Sequence, residues 1–518
     1  MRESKELVPV DSSIQWCLLS HTNIGKTTLT RTLLADDVGE IDDAAHVTTR
    51  SQRYLLQRSP QGDELWLWDT PGFGDSVRLF ERLRQHGNPL GWFLSNVWDR
   101  WRDKPFYLSQ RALLAARDHA DVMLYLVNAA EDPADAGYWN AEMNILAWLD
   151  KPVIVLLNQI GSDTTAAQTQ QDLRRWQQAT QSFHSVVRDV LVLDAFTRSW
   201  WHERRMMQRI APLLPQPKQP AYQRLLAQRA WQQQQREQQS LAVMAEQLLA
   251  AAGLHEKLDP EQGRLLARAR QSLGQLAAKL GRAEGGDERL GAQAQEAVQR
   301  LLQALRQADV QATQRLLEIH GLDGQAGSQI QEQLRSQLQI TTPVDAQAAG
   351  LWGALTAGAA TGLGADLMAG GLTLGAGALV GALLGALTLG GAAWGANKLF
   401  DQEQQSFRLS GDYLNASVSQ VLLKYLLISH FGRGRGRYTS PAAPRQWSEL
   451  AQEAVKAHAA QWEALWAQLR GVENAAQAGA AQKSAMMELL SQSLQQIMAA
   501  LYPGLNADSG VRDGESAP

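Results

Sequence analysis

Apolar residues in the first two hundred positions gather in short blocks. The runs at 122–127 (VMLYLV), 153–157 (VIVLL) and 190–193 (VLVL) carry no polar alternation, which is the pattern of strands buried on both faces. With the apolar segments near 14–20, 52–57 and 64–69 they predict about six strands separated by helical patterns. A βα order of this kind predicts an α/β fold, a doubly wound and mostly parallel sheet whose ligand lies at the carboxyl ends of the strands.

Beyond Pro220 the pattern changes to Gln, Ala, Leu and Arg at helical spacing, so an all-α region without strands is expected. Gly253, Gly285-Gly286, Gly321 and Gly324 are candidate breaks between helices. Residues 348–396 form a different kind of segment, because Asp366 is its only charge and it is rich in Gly and Ala. Gly371 and Gly375, then Gly377, Gly381 and Gly385, recur every four residues and put small surfaces on one helix face. Glycine costs about 1 kcal/mol against alanine in a soluble helix, so this density asks for close packing or lipid. The expectation is a glycine-zipper hairpin that inserts in or associates with a membrane; the alternative is a buried hairpin in a soluble bundle. Helical pattern resumes from Trp447 to Leu501, with Trp462 and Trp466 on one apolar face as core. The resulting plan is an α/β domain at 1–215, a helical domain at 216–345, the apolar hairpin at 346–400, C-terminal helices at 401–502 and a disordered tail at 503–518.

The candidate chemistry begins where the opening strand meets Gly25-Lys26-Thr27, the turn into a helix that cradles nucleotide phosphates. Ser20 stands where the full P-loop pattern begins with glycine. Asp69-Thr70-Pro71-Gly72 follows a second strand as a DxxG element, with Thr48 and Thr49 in the polar stretch between. These are the parts of a GTPase in their usual order. Backbone N–H groups from Thr22, Asn23, Ile24 and Gly25 to Lys26 and Thr27 are expected to wrap the β-phosphate. Lys26 would neutralise β and γ oxygens, the Thr27 hydroxyl would bind magnesium, and Asp69 would hold the metal through water. Gly72 and Thr48 or Thr49 would respond to the γ-phosphate, which makes two loops a nucleotide sensor.

Through Ser20 to Thr28, Thr48-Thr49-Arg50 and Asp69 to Phe73, the chain resembles the Era-like GTPases of the TrmE, Era and EngA group. Trp98-Asp99-Arg100, Asp121 to Pro133 and Asp194-Ala195-Phe196 resemble a proteobacterial branch with a long C-terminal domain of unknown function. The resemblance implies GTP or GDP with Mg2+ as ligands. It also implies that Asn23, the fourth loop residue, helps hold K+ where other GTPases use an arginine; the alternative is an asparagine that stabilises a turn. Phe73 stands where some GTPases place a water-orienting glutamine, so unaided hydrolysis is expected to be slow. The ion, a partner or homodimerisation would then assist it. The base-recognition motif departs from the group, with Asn158-Gln159-Ile160-Gly161 in place of Asn-Lys-x-Asp. Loss of that aspartate costs on the order of 1.5 to 3 kcal/mol of discrimination. Asp163 could substitute, Asn158 would anchor the loop, and Asp194, Ala195 and Phe196 occupy the last base-contacting motif. GTP is the expected nucleotide, with relaxed specificity or ATP as the alternative.

Composition changes this picture little. The 518 residues exceed one core, so two or three domains are expected. A net charge of -4 gives no broad nucleic-acid surface. The single cysteine, Cys17, lies in the apolar first strand and is expected in the core of a protein from a reducing compartment. The polar N-terminus lacks an apolar signal segment, so the expected location is cytoplasmic, at the inner face of the inner membrane. Lys398, Arg408, Lys424 and the Arg433, Arg435, Arg437 series could meet anionic lipid there. Phe80, Trp92, Phe93, Trp98, Trp101 and Phe106 form an aromatic stretch expected to pack under the C-terminal helices, or else to meet a partner. His21 and His46 flank the phosphate site without an assigned role. The function expected is a slow GTPase switch coupled to a membrane-associated helical domain. Its rivals are a weakly hydrolysing scaffold and a soluble ribosome-assembly or RNA-modification GTPase.

Overall fold

In the computed structural model, the described residues are 12–36, 38, 51–95, 103–160, 164–257, 288–322, 330, 400–403, 406–409, 411–432, 445–470 and 479–502. Thr48, Thr49, His46, Trp98, Trp101, Gly161, Asp163, the hairpin at 348–396, the Arg433–Arg437 series and the tail at 503–518 lie outside them. The chain divides into two compact units, one of residues 1–236 with 429–441, the other of 237–428 with 442–518.

The first unit is a six-stranded sheet in the order β2-β3-β1-β4-β5-β6. Its strands are β1 (Ser13–Ser20), β2 (Gln52–Arg58), β3 (Glu64–Asp69), β4 (Val122–Asn128), β5 (Val153–Asn158) and β6 (Val187–Val192). All neighbours pair parallel except β2 with β3, which run antiparallel at the edge. The helices between strands are α1 (Lys26–Leu34), α2 (Ser76–Leu83), α3 (Pro89–Ser95), α4 (Lys104–His119), α5 (Tyr138–Ala147) and α6 (Ala166–Ala179). They are followed by α7 (Trp200–Ile210) and α8 (Gln219–Gly253).

The continuous apolar runs are explained by two cores, one on each sheet face. Alternate residues Cys17, Leu19, Met123, Tyr125, Val127, Val153 and Val155 enter one; Trp16, Leu18, Leu124, Leu126, Ile154 and Leu156 enter the other, closed by Tyr222 and Leu225 of α8. Cys17 is fully buried, and burial raises its thiol far above the ordinary range. The aromatic stretch is covered differently from the expectation. Phe93 and Phe106 are buried in the first core, with Phe80 and Trp92 packed against it, and Phe80 stacks on Trp148 beside α5 at 5.7 Å. The sheet's own helices supply this cover because α2 and α3 lie over the face that α5 also covers.

In the second unit the helices Glu288–Ile319, Gly411–Ser429, Arg445–Ala457, Ala459–Arg470 and Ala480–Leu501 dominate. Trp462 and Trp466 stack at 5.5 Å and are buried. Buried Lys424 pairs with Asp309, which also accepts from Gln247 at 2.8 Å. The expectation of no strands after Pro220 is corrected by a small antiparallel sheet of His255–Lys257, Ser406–Leu409 and Phe400–Glu403. Strands of three or four residues are too short for a two-residue period to show. Among the described residues, no helix is long and apolar enough to cross a membrane.

Candidate functional site

The turn after β1 owes its shape to two residues in the left-handed region, Asn23 at φ 64° and Gly25 at φ 96°. Successive N–H groups converge in such a turn and form an anion-binding concavity, here continued by the first-turn N–H groups of α1. Gly25 is required by its dihedral, whereas Asn23 is one of the side chains that tolerate this region. The Gly25 carbonyl accepts the first helical bond, from Leu29 N at 2.9 Å. Thr28 and Ile24 are buried under the turn.

Lys26 points back under this loop. Its Nζ donates to Ser20 Oγ at 2.7 Å and to the His21 carbonyl at 3.4 Å, while the Ser20 hydroxyl donates onward to that carbonyl at 2.5 Å. Burial pushes the ammonium down to about 8, against the charges of Asp69 and Glu142 that favour the protonated form. A buried cation held at the mouth of an N–H-lined turn is suited to polyanionic phosphate.

Beside it, Thr27 Oγ1 donates to Asp69 Oδ2 at 2.7 Å. Asp69 is buried, its second oxygen has no hydrogen-bond partner, and burial lifts its carboxyl to about 6 despite Thr27, Lys26 and Arg31. An orphaned carboxylate oxygen beside a hydroxyl fits a hard divalent cation that completes its shell with water and phosphate oxygens. Among the described residues no group of three or more His, Cys, Asp or Glu could hold a metal alone.

Gly72 abuts the loop so closely that a Cβ there would stand 2.8 Å from Thr22 Cα and 3.1 Å from Lys26 Nζ. The DxxG strand end is fixed by Thr70 Oγ1 donating to Leu18 O at 2.5 Å and Phe73 N donating to Ser20 O at 2.9 Å. The Phe73 ring is fully buried in the core, so this position offers the site no polar group.

At the base end, buried Asn158 spends both ends of its amide on the scaffold. Its Nδ2 donates to Ile24 O at 2.7 Å, and its Oδ1 accepts from Ala195 N at 2.8 Å. Asp194 Oδ1 accepts from Gln159 N at 3.2 Å and Phe196 N at 3.3 Å, while Ala195 O accepts from Thr32 Oγ1 at 2.7 Å. The structure therefore gathers Ser20, Thr22 to Thr28, Asp69, Gly72, Asn158, Gln159 and Asp194 to Phe196 around one end of the sheet.

Sequence reasoning missed Glu142. Fully buried on α5, it accepts from Tyr125 at 2.5 Å and pairs at 2.7 Å with His21 Nδ1, 121 residues away. His21 also stacks on Tyr138 with centroids 4.4 Å apart. The one available signal was a lone carboxylate among the apolar residues of that helix.

Residues 16–159 match a family described as 50S ribosome-binding GTPase, and residues 175–496 match a domain of unknown function (DUF3482). No curated protein matches the chain. Among solved structures, an Era variant of Aquifex aeolicus bound to GDP.AlF4- is similar at 19% identity and TM-score 0.31, over 39% of this chain and 57% of that one. Era in complex with MgGDPNP and nucleotides 1506-1542 of 16S ribosomal RNA is similar at 19% identity and TM-score 0.30, again over 39% and 57%. This chain thus spans little more than half the length of either. A bacterial dynamin pair described in terms of membrane sensing and tethering is similar at 9% identity and TM-score 0.23, over 97% of this chain and 76% of that one.

Proposed function

We propose that this chain, which belongs to the DUF3482 family and opens with an Era-like P-loop GTPase domain, works as a slow GTPase switch whose nucleotide state is passed to its helical region. The observation that carries the reading is the constellation of Lys26, Thr27 and the half-partnered Asp69 at the N–H-lined turn.

Thr27 and Asp69 would hold Mg2+, which supplies positive charge at the β and γ oxygens. The chain's own groups do the rest. Amides of residues 23 to 27 bind the phosphates, and Lys26 exchanges its bond to Ser20 Oγ for phosphate oxygens. Gly72 would donate its N–H to a γ-phosphate, and the strand end that carries it is tied to Ser20 through Phe73 N. The buried Phe73 ring cannot orient the attacking water, which supports slow unaided turnover. Asn23, held in the left-handed turn, is the residue proposed to recruit K+ as the accelerating charge.

Guanine is the proposed base, although Gly161 replaces the expected aspartate. The glycine-spaced segment 348–396 supports association with lipid or a membrane protein at the cytoplasmic face of the inner membrane, and homodimerisation is a further route to assisted hydrolysis. The weakly hydrolysing scaffold is the second reading, and buried Phe73 favours it. Calorimetric titration of the full chain with GTP and GDP in Mg2+, with single-turnover hydrolysis in K+ and in Na+, tests both. Absence of binding removes the switch and the scaffold together; binding without turnover leaves the scaffold.

A further inference from the structure

The loop 194–198 has a second support, and it comes from far downstream. Thr197 pairs with Phe431 in an isolated antiparallel bridge, and Arg198 N donates to His430 O at 3.0 Å. His430 and Phe431 are both buried. Gly432 sits so close to the loop that a Cβ on it would stand 2.6 Å from the Phe196 carbonyl carbon and 2.7 Å from its oxygen. These residues belong to the same compact unit as the sheet, although they come after the helix Gly411–Ser429 in the chain.

The loop is therefore held from two sides. Asn158 and Thr32 fix Ala195 by its N–H and its carbonyl, and the downstream segment fixes Thr197 and Arg198 by main-chain pairing. Main-chain contacts set where a loop lies, and a recognition group moved out of hydrogen-bond reach changes binding by about five- to a hundredfold. Dependence on this support is greater here, since Gly161 contributes no carboxylate to the base.

We propose that residues 430–432 are a positioning element of the nucleotide site, holding loop 194–198 where it discriminates guanine, so that base selectivity depends on a segment far downstream of the loop in the chain. The inference rests on the proposed nucleotide-binding function. Its contacts are with residues 195 to 198 of the loop, so the base-dependent part of affinity is where its effect falls.

The test compares GDP and ADP affinities, in Mg2+, of the full chain and of its Gly432→Ala and Phe431→Ala variants, with circular dichroism and melting to verify folding. GDP affinity is expected to fall roughly tenfold, the cost of about one hydrogen bond, with ADP affinity unchanged, so that the ratio of the two falls with it. A ratio unchanged in a folded variant overturns the inference, as does equal weakening of both nucleotides, which marks a merely structural role. If Gly432→Ala does not fold, Phe431→Ala decides by the same criterion. A wild-type chain that binds both equally overturns the inference but leaves nucleotide binding standing, whereas one that binds neither removes both.

Discussion

The Lys26 ammonium donates at 2.7 Å to the hydroxyl of Ser20, the residue that stands where the P-loop pattern begins with glycine. The cation is thus parked on a neutral partner, from which a bound nucleotide would have to draw it. A hydrogen bond to a charged group contributes about 1.5 to 3 kcal/mol. Ser20→Gly is therefore expected to lower the melting temperature of the nucleotide-free chain and to tighten GDP binding. Lys26→Ala is expected to abolish binding measurable by calorimetry at micromolar GTP. Retained affinity there would take Lys26 out of the mechanism.

Asn158 ties the phosphate turn to the base loop through Ile24 O and Ala195 N. Truncation leaves two backbone groups in need of partners at a buried position, at about 1 to 3 kcal/mol each. Asn158→Ala is expected to lower urea stability by about 2 kcal/mol or more and to weaken GTP and GDP alike. Undiminished stability would show that water or neighbouring groups replace the amide.

Asn23 owes its left-handed dihedral to the turn, at φ 64°, so the demand on its backbone and its proposed role in K+ binding can be tested separately. Asn23→Gly preserves the turn and removes the side-chain oxygen. If the ion reading is correct, K+ stimulation disappears in this variant while GDP affinity stays within about threefold. Equal wild-type turnover in K+ and Na+ sinks the ion reading at the outset.

Glu203 on α7 is buried between Arg198 and Arg229, paired at 2.7 and 2.8 Å. Burial alone raises a carboxyl, but the two guanidinium groups win and hold it down to about 2, below its ordinary 4.5. A depressed acid contributes stability above its unfolded value and loses it as pH falls through the folded one. Wild-type stability is therefore expected to decline from near pH 4.5 toward pH 2, a decline that Glu203→Gln flattens. The variant is also expected to lose about 3 to 5 kcal/mol at neutral pH, since both arginines lose their buried counter-charge. Urea titrations across that pH range measure both effects.

The readable part of the site was the part made by neighbours in sequence. Gly25, Lys26 and Thr27 form a turn and a helix start within a few residues, and Asp69 and Gly72 sit at one strand end, so spacing alone exposed them. The buried runs of β4 and β5 announced a sheet covered on both faces because alternate residues of each strand enter the two cores. The three short strands of the second unit carried no such period, and the aromatic stretch declared its burial without declaring its cover.

From the order of residues alone came the P-loop GTPase likeness, the α/β domain and the helical region after it, because strand and helix periods and the turn at Gly25 are properties of neighbours in sequence. Only the folded chain decided that Ser20 would hold Lys26, that Glu142 would reach His21 across 121 residues, and that Phe431 would pair with Thr197. Those pairings depend on which buried polar groups and free main-chain edges the packed elements leave within reach, and a linear pattern contains no distances between such groups.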